Sequence, residues 1–270
     1  MKVKTTLLLI LPALLLSSCQ GHGTPLTKAE AARQFDLMED RIEQESETIT
    51  KFTLVSESKL SSGGMLMDSK TTTILDFENS YLRQTYNAVV ETATDTAKTN
   101  EDIYLYKDND KYILATSISA QAESVNQSVK YYSSINVGNS TFSDMIDYAN
   151  LDLDTLKLLV DEVIDLVESS FEYVQTSQSS KFDVNYSSKG EGHFYMSFNL
   201  VQDETTAITE AKGFIEFENY FLSTYDVDMK YYQVTNGQKV ELMSLDSSSK
   251  LSKTAQLTYP DLSEYTYSVS

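Results

Sequence analysis

Tryptophan is absent from this chain of 270 residues, which holds one cysteine, two histidines, three prolines and nine glycines. A single cysteine allows no intramolecular disulfide, so the fold has to be held by its core. His22 and His193 find no metal-ligand or general-base partner at a recognisable spacing. Nine glycines leave little room for a phosphate-cradling loop, and no serine sits in a Gly-x-Ser-x-Gly elbow. Asp108-Asn109-Asp110 lacks the downstream glycine and glutamate of a calcium loop and reads as a hairpin turn. The sequence therefore gives no catalytic residue, metal or cofactor to expect, and the chain reads as a non-enzyme. Positive charge is also scarce: 21 Lys and Arg face 40 Asp and Glu, a formal charge of −19. Such a surface repels nucleic acid and anionic headgroups. No apolar run is long enough to span a bilayer as a helix, since the longest, in residues 5–16, falls short of the roughly 18–20 required.

That short run is informative where it stands. Lys2 and Lys4 precede Leu7-Leu8-Leu9-Ile10-Leu11, and Ser17-Ser18 follow it, the arrangement of a secretory signal over residues 1–18. Leu16-Ser17-Ser18-Cys19 resembles the lipobox of bacterial lipoproteins. The resemblance implies a lipid on Cys19, anchoring to the extracytoplasmic face of a membrane in the cell envelope, and removal of residues 1–18. Two or more acyl chains suffice for this, at about 0.8 kcal/mol per buried CH₂. Losing two lysines takes the formal charge to −21, so lipid and not electrostatics has to hold the protein to the membrane. Residues 19–26 are expected to be a lipidated tether, with Gln20–Leu26 reaching at most roughly 25 Å.

The remainder, 27–270, has the palette of half-buried strands, with 18 tyrosines, 11 phenylalanines and much serine and threonine. Thr27-Lys28-Ala29-Glu30 is a capping box, and Ala31, Phe35, Met38 and Ile42 follow at helical spacing, predicting a helix over about 28–48. Strands are expected around Phe52–Ser56, Thr71–Phe77, Tyr81–Val90, Ile103–Tyr106, Lys111–Thr116 and Val129–Val137. A short helix at 141–150 and a longer one, capped by Asp152 or Asp154 and apolar at Leu156, Leu159, Val160, Val163, Ile164, Val167 and Phe171, form a central insert. Past a linker at 175–180, alternation resumes at Phe182, Val184 and Tyr186, at Phe194, Met196 and Phe198, and at Tyr225, Val227 and Met229. Asn236-Gly237 makes a turn, and Val240–Leu245 and Thr254–Tyr259 complete the set.

Ile74–Leu82 parallels Phe214–Leu222, Lys51-Phe52 parallels Lys181-Phe182, and Asn109 parallels Asn236, so a helix-plus-meander unit reads as occurring twice, over about 27–137 and 141–260. This element order resembles the LolA carrier and LppX-type lipoproteins. The resemblance implies a single α+β domain: a strongly curved antiparallel sheet, an incomplete β-barrel of about 11 strands, lidded by the N-terminal helix and the central insert. It also implies a cavity for a lipid or other apolar ligand. Phe194, Met196, Phe198, Tyr225, Val227, Met229, Leu159 and Val163 are the candidates to line it, though the same stripe serves equally as dry core. A broad sheet built from two α-plus-four-strand units is the alternative fold. The alternative function is a structural or surface-interaction lipoprotein with a filled core and a protein or glycan partner.

Overall fold

The computed structural model describes residues 22–138, 140–149, 154–174, 180–204, 206–235 and 237–268. The signal segment, Cys19, Asp152, most of the 175–180 linker and Asn236 lie outside the described residues. The strands are β1 (Thr24–Leu26), β2 (Lys51–Ser62), β3 (Met65–Asp76), β4 (Tyr81–Glu91), β5 (Thr96–Asp108), β6 (Lys111–Ala122), β7 (Val125–Asn136), β8 (Lys181–Ser188), β9 (Phe194–Asp203), β10 (Ala207–Glu218), β11 (Phe221–Thr235), β12 (Gln238–Ser252) and β13 (Thr266–Tyr267). The helices are α1 (Lys28–Thr48), α2 (Phe142–Tyr148) and α3 (Asp154–Glu172).

These thirteen strands form one open sheet in the order β1-β8-β9-β10-β11-β12-β2-β3-β4-β5-β6-β7-β13. Neighbours are antiparallel except β13, which runs parallel to β7. The chain crosses the sheet three times. α1 carries it from the β1 edge to β2 at the centre; α2 and α3 carry it from β7 at one edge to β8 near the other; the segment after β12 returns it to the β7 edge. The two halves meet along ten residue pairs between β12 and β2, from Met243↔Ser62 to Ser252↔Thr53.

This corrects the expected α+β incomplete barrel of about 11 strands: the chain is mainly β, and its sheet is open. Closure would require β7 and β8 to approach each other, but each already has a terminal strand on its outer side, β13 and β1 respectively. Each half is a helical segment followed by a consecutive antiparallel meander, β2–β7 and β8–β12, but the matched sequence segments fall one strand out of step. β2 is the neighbour of β3, whereas β8 lies two places from β10. The Asn109 turn joins β5 to β6, while Gly237 lies between β11 and β12. Thr254–Tyr259, expected as a strand, has no strand pairing and instead packs on the sheet.

The sequence explains each packed layer. In α1 both arms of the capping box form: the Thr27 N–H donates to Glu30 Oε2 at 2.8 Å, and the Glu30 N–H donates to Thr27 Oγ1 at 3.3 Å. Ala31, Phe35, Met38 and Ile42 are the buried face. α3 lies antiparallel to α1, since Lys28 Nζ reaches the Tyr173 carbonyl at one end and Lys157 Nζ lies 3.5 Å from Glu47 Oε1 at the other. Beneath them, Phe52, Leu75, Leu82, Leu105, Phe194, Ile215, Phe217 and Leu222 cluster at one end of the sheet, its packed end. Alternation turns the adjacent residues to the opposite face. There Tyr81, Tyr104, Tyr106, Ile113 and Ala115 are covered by Leu257, Leu262 and Tyr265 of the C-terminal segment. The Tyr81 hydroxyl donates to the Thr258 carbonyl, and Tyr259 packs edge-on against Tyr81 and Tyr106. Arg83 clamps Asp102 through Nε and Nη2, both at 2.9 Å, and donates from Nη1 to Thr258 Oγ1 at 2.8 Å. One face is thus a helix face and the other a tail face.

Beyond the packed end the sheet is a single layer. No described residue is buried within 55–74, 117–135 or 223–248. Serines bond each other across strands, Ser58 to Ser69 within this layer at 2.8 Å and Ser56 to the buried Ser249 at its border at 2.9 Å.

Two outcomes are expected. Phe35 is fully buried and its ring meets those of Phe171, Phe194 and Phe217, so Phe35→Ala should cost about 3–5 kcal/mol in denaturant unfolding. Leu242, exposed at the far end, should tolerate Leu242→Ala within about 0.5 kcal/mol. Similar costs for the two would contradict a core confined to the packed end.

Candidate functional site: the tail face and its β8 edge

Of the residues expected to line a lipid cavity, Phe194 and Met196 are fully buried, Val163 and Phe198 are buried, and Leu159, Tyr225 and Val227 pack partly buried against the same core. Met229 is half-buried on the helix face, paired with Ala211 and Leu245. The structure brings most of this stripe together, but as packing: Phe171 of α3 and Phe35 of α1 reach Phe194 at centroid separations of 6.4 and 5.0 Å. Among these eight, only Phe198 borders any of the concavities described below.

The histidines were the residues whose partners sequence spacing did not disclose. Both converge on Glu216 of β10. His193 Nε2 lies 3.0 Å from Glu216 Oε1, Lys189 Nζ 3.3 Å and His22 Nδ1 3.7 Å. His22 also stacks on Tyr195 with ring centroids 3.9 Å apart. Gly23 follows at φ +106°, where an added Cβ would lie 2.2 Å from the Ser188 carbonyl oxygen, so only glycine fits this approach. The expected tether is therefore pinned to the sheet from His22 onward.

Glu218 completes a His193–Glu216–Glu218 group with the spacing of metal ligands. Its hydrogen bonds favour an ion-pair network. The Lys189 backbone N–H donates to His193 Nδ1 at 3.2 Å, which leaves the proton on Nε2, directed at Glu216. Lys189 Nζ supplies a cation, 3.6 Å from Glu218 as well. Burial opposes ionisation of Glu216, but the His193 and Lys189 hydrogen bonds and nearby positive charge outweigh it and hold the carboxyl below its usual range.

The larger concavities lie on and beside the tail face. A groove of about 710 Å³ at the β8 edge is bordered by Pro25, Leu26, Tyr173, Phe182, Val184, Asn185, Tyr186, Tyr195 and Ser197. It shares Asn185, Tyr195 and Ser197 with a hollow of about 500 Å³ that includes Asn199, Lys212, Phe214 and Asp226. That hollow shares Asn199 and Lys212 with a third of about 340 Å³ reaching Glu210, Asp228 and Lys230. The three form one trough across β8, β9, β10 and β11. Further along the same face, a polar hollow of about 420 Å³ is lined by Glu57, Lys59, Asp68, Lys70, Asn87, Lys98 and Asp246. Its charges are matched in cross-strand pairs, Lys59–Asp68 at 3.5 Å and Lys70–Glu57 at 2.6 Å. In the trough, Lys212 pairs with Asp228 at 3.2 Å. Burial, with Asp246 and Asp228 nearby, raises the Asp226 carboxyl above its usual range. Paired charges, amides and the stacked Tyr195 and Phe214 rings suit a ligand that is polar and extended.

No family model matches this chain, and no curated protein matches it. Among solved structures, the translocator domain of the autotransporter NalP from Neisseria meningitidis is similar over 82% of this chain and 95% of that one, at 10% identity and a TM-score of 0.21. Likeness at that score carries no argument about fold or function.

Glu216 yields a signed pH prediction. A depressed folded-state pKa contributes stability that is complete above the unfolded value of about 4.3 and is lost as pH falls through the folded value. Wild-type urea midpoints should therefore drop on acidification below about pH 5, and Glu216→Gln should flatten that limb. Identical acid limbs would show that the network is not coupled to folding.

Proposed function

We propose that this chain is a membrane-anchored extracytoplasmic lipoprotein, held by lipid on Cys19, that presents the uncovered part of its sheet to a protein or glycan partner. The observation that carries the reading is the single layer beyond the packed end, where both faces meet solvent, together with a tail-face trough that runs from the β8 edge at the packed end toward it. Maintaining long strands without a second layer exposes backbone and side chains over an area that folding alone does not require. What favours a partner-binding surface over a lipid carrier is that the stripe expected to hold lipid packs against α1 and α3. The pinned N-terminus supports a domain held close to the anchor, with Cys19 only three positions before His22.

The anchor is tested by fractionating cells that express the full chain. Wild type should sediment with membranes and Cys19→Ser should be soluble; equal sedimentation would contradict lipid anchoring. Native mass spectrometry of the soluble Cys19→Ser chain should give the bare protein mass. A stoichiometric phospholipid adduct that Met196→Trp abolishes would instead restore the lipid-carrier reading. Glycan and peptide arrays probed with wild type and with Lys212→Ala test the face, and the variant should bind about tenfold more weakly to any positive spot. Undiminished binding would move the contact away from the trough.

A further inference from the structure

Resting on the partner-binding reading, we propose that the outer edge of β8 from Lys181 to Asn185 is a docking site for an extended peptide segment of a partner protein, which adds a strand in line with β1. The chain itself shows that this edge accepts a strand. β1 pairs with its last three positions, Thr24↔Ser188, Pro25↔Ser187 and Leu26↔Tyr186. The chain then leaves the edge at Thr27, which caps α1. Along Lys181–Asn185 the described pairing runs on the β9 side only. An antiparallel edge strand turns alternate N–H and C=O groups outward, ready to pair.

The space beside that stretch is built for a chain of defined pattern. The groove of about 710 Å³ has an apolar wall of Phe182 and Val184, with Tyr173, just past the end of α3, and Leu26 of β1 beside them. Phe182 is braced by Tyr173, whose ring meets it edge-on at 5.0 Å. On the tail face of the same strand stand Lys181, Asp183 and Asn185, with Lys181 and Asp183 paired at 2.6 Å. A matching strand therefore alternates apolar residues toward the helix face with polar ones toward the tail face. Five edge positions span about 16 Å at the strand rise. The formal charge of −19 favours a segment of net positive charge. Backbone pairing would supply affinity and the alternating side chains specificity, as in strand addition generally.

The probe is the capped peptide acetyl-Lys-Val-Thr-Val-Thr-Val-Lys-amide, added to the full chain purified from membranes in detergent. The expected result is saturable binding with slowed amide exchange in the fragment covering Lys181–Asn185. Methylating alternate peptide nitrogens should abolish it, and Val184→Lys should weaken it about tenfold or more. Binding that survives N-methylation would mean that the groove takes apolar matter without strand pairing, and overturns the proposal. Protection confined to another segment overturns it too, as does absence of binding. In either case, array binding that still depends on Lys212 would leave the partner-binding reading standing.

Discussion

Phe35 sits where the first helix, the central helical crossing and the second half of the sheet come together, in ring contact with Phe171, Phe194 and Phe217. Every other feature depends on apolar surface being concentrated there. An extended sheet of thirteen strands has far more area than two long helices can cover. The chain buries one end of it instead, with helices on one face and the C-terminal segment on the other. The far part is held by backbone ladders and cross-strand pairs, each worth roughly 0.2–1 kcal/mol, and stays in register because its strands are continuous with those of the packed end.

Open sheets carry the hazard of edge-to-edge association. Here the two chain termini address it. β1 covers part of β8 and β13 covers part of β7, so the segments nearest the ends of the sequence become the edges of the sheet. The N-terminal cover is reinforced by His22 on Tyr195 and by the close approach at Gly23. Gln34 of α1 adds to it, donating to Ser188 Oγ at 2.6 Å and the His193 carbonyl at 2.9 Å. The described N-terminal residues are thus held at the packed end of the sheet.

The sequence was legible where one face was dry. The capping box at Thr27 and the Ala31–Phe35–Met38–Ile42 spacing mark α1, and alternation marks β8 and β9. It became illegible where both faces are wet. β3 begins at Met65 and not Thr71, and β7 at Val125 and not Val129, because Met65-Leu66-Met67-Asp68-Ser69-Lys70 and Val125-Asn126-Gln127-Ser128 show no alternation to read. β1 contains Pro25 and spans three residues, too little for a pattern. Thr254–Tyr259 has strand-like composition, yet its tyrosine and Thr258 serve as a cover for Tyr81 and Arg83. Alternation also correctly placed Phe194, Met196 and Phe198 on one inner face, but it cannot say whether rings or a void lie opposite. The Glu216 network joins His22, Lys189 and His193 of the β8–β9 connection, and Glu216 of β10, a convergence that no linear spacing encodes.

The sheet beyond its packed end is a single layer with two wet faces. Cysteine labelling in a Cys19→Ser background, which removes the native thiol, tests it directly on neighbouring residues of β2. Leu60 points to the helix face and Lys59 to the tail face, while Leu54 is buried in the core. With a membrane-impermeant maleimide, Leu60→Cys and Lys59→Cys should react at comparable rates and Leu54→Cys far more slowly. A Leu60→Cys as protected as Leu54→Cys would mean that a further layer covers the helix face, and the account of an open, partner-presenting sheet would fail.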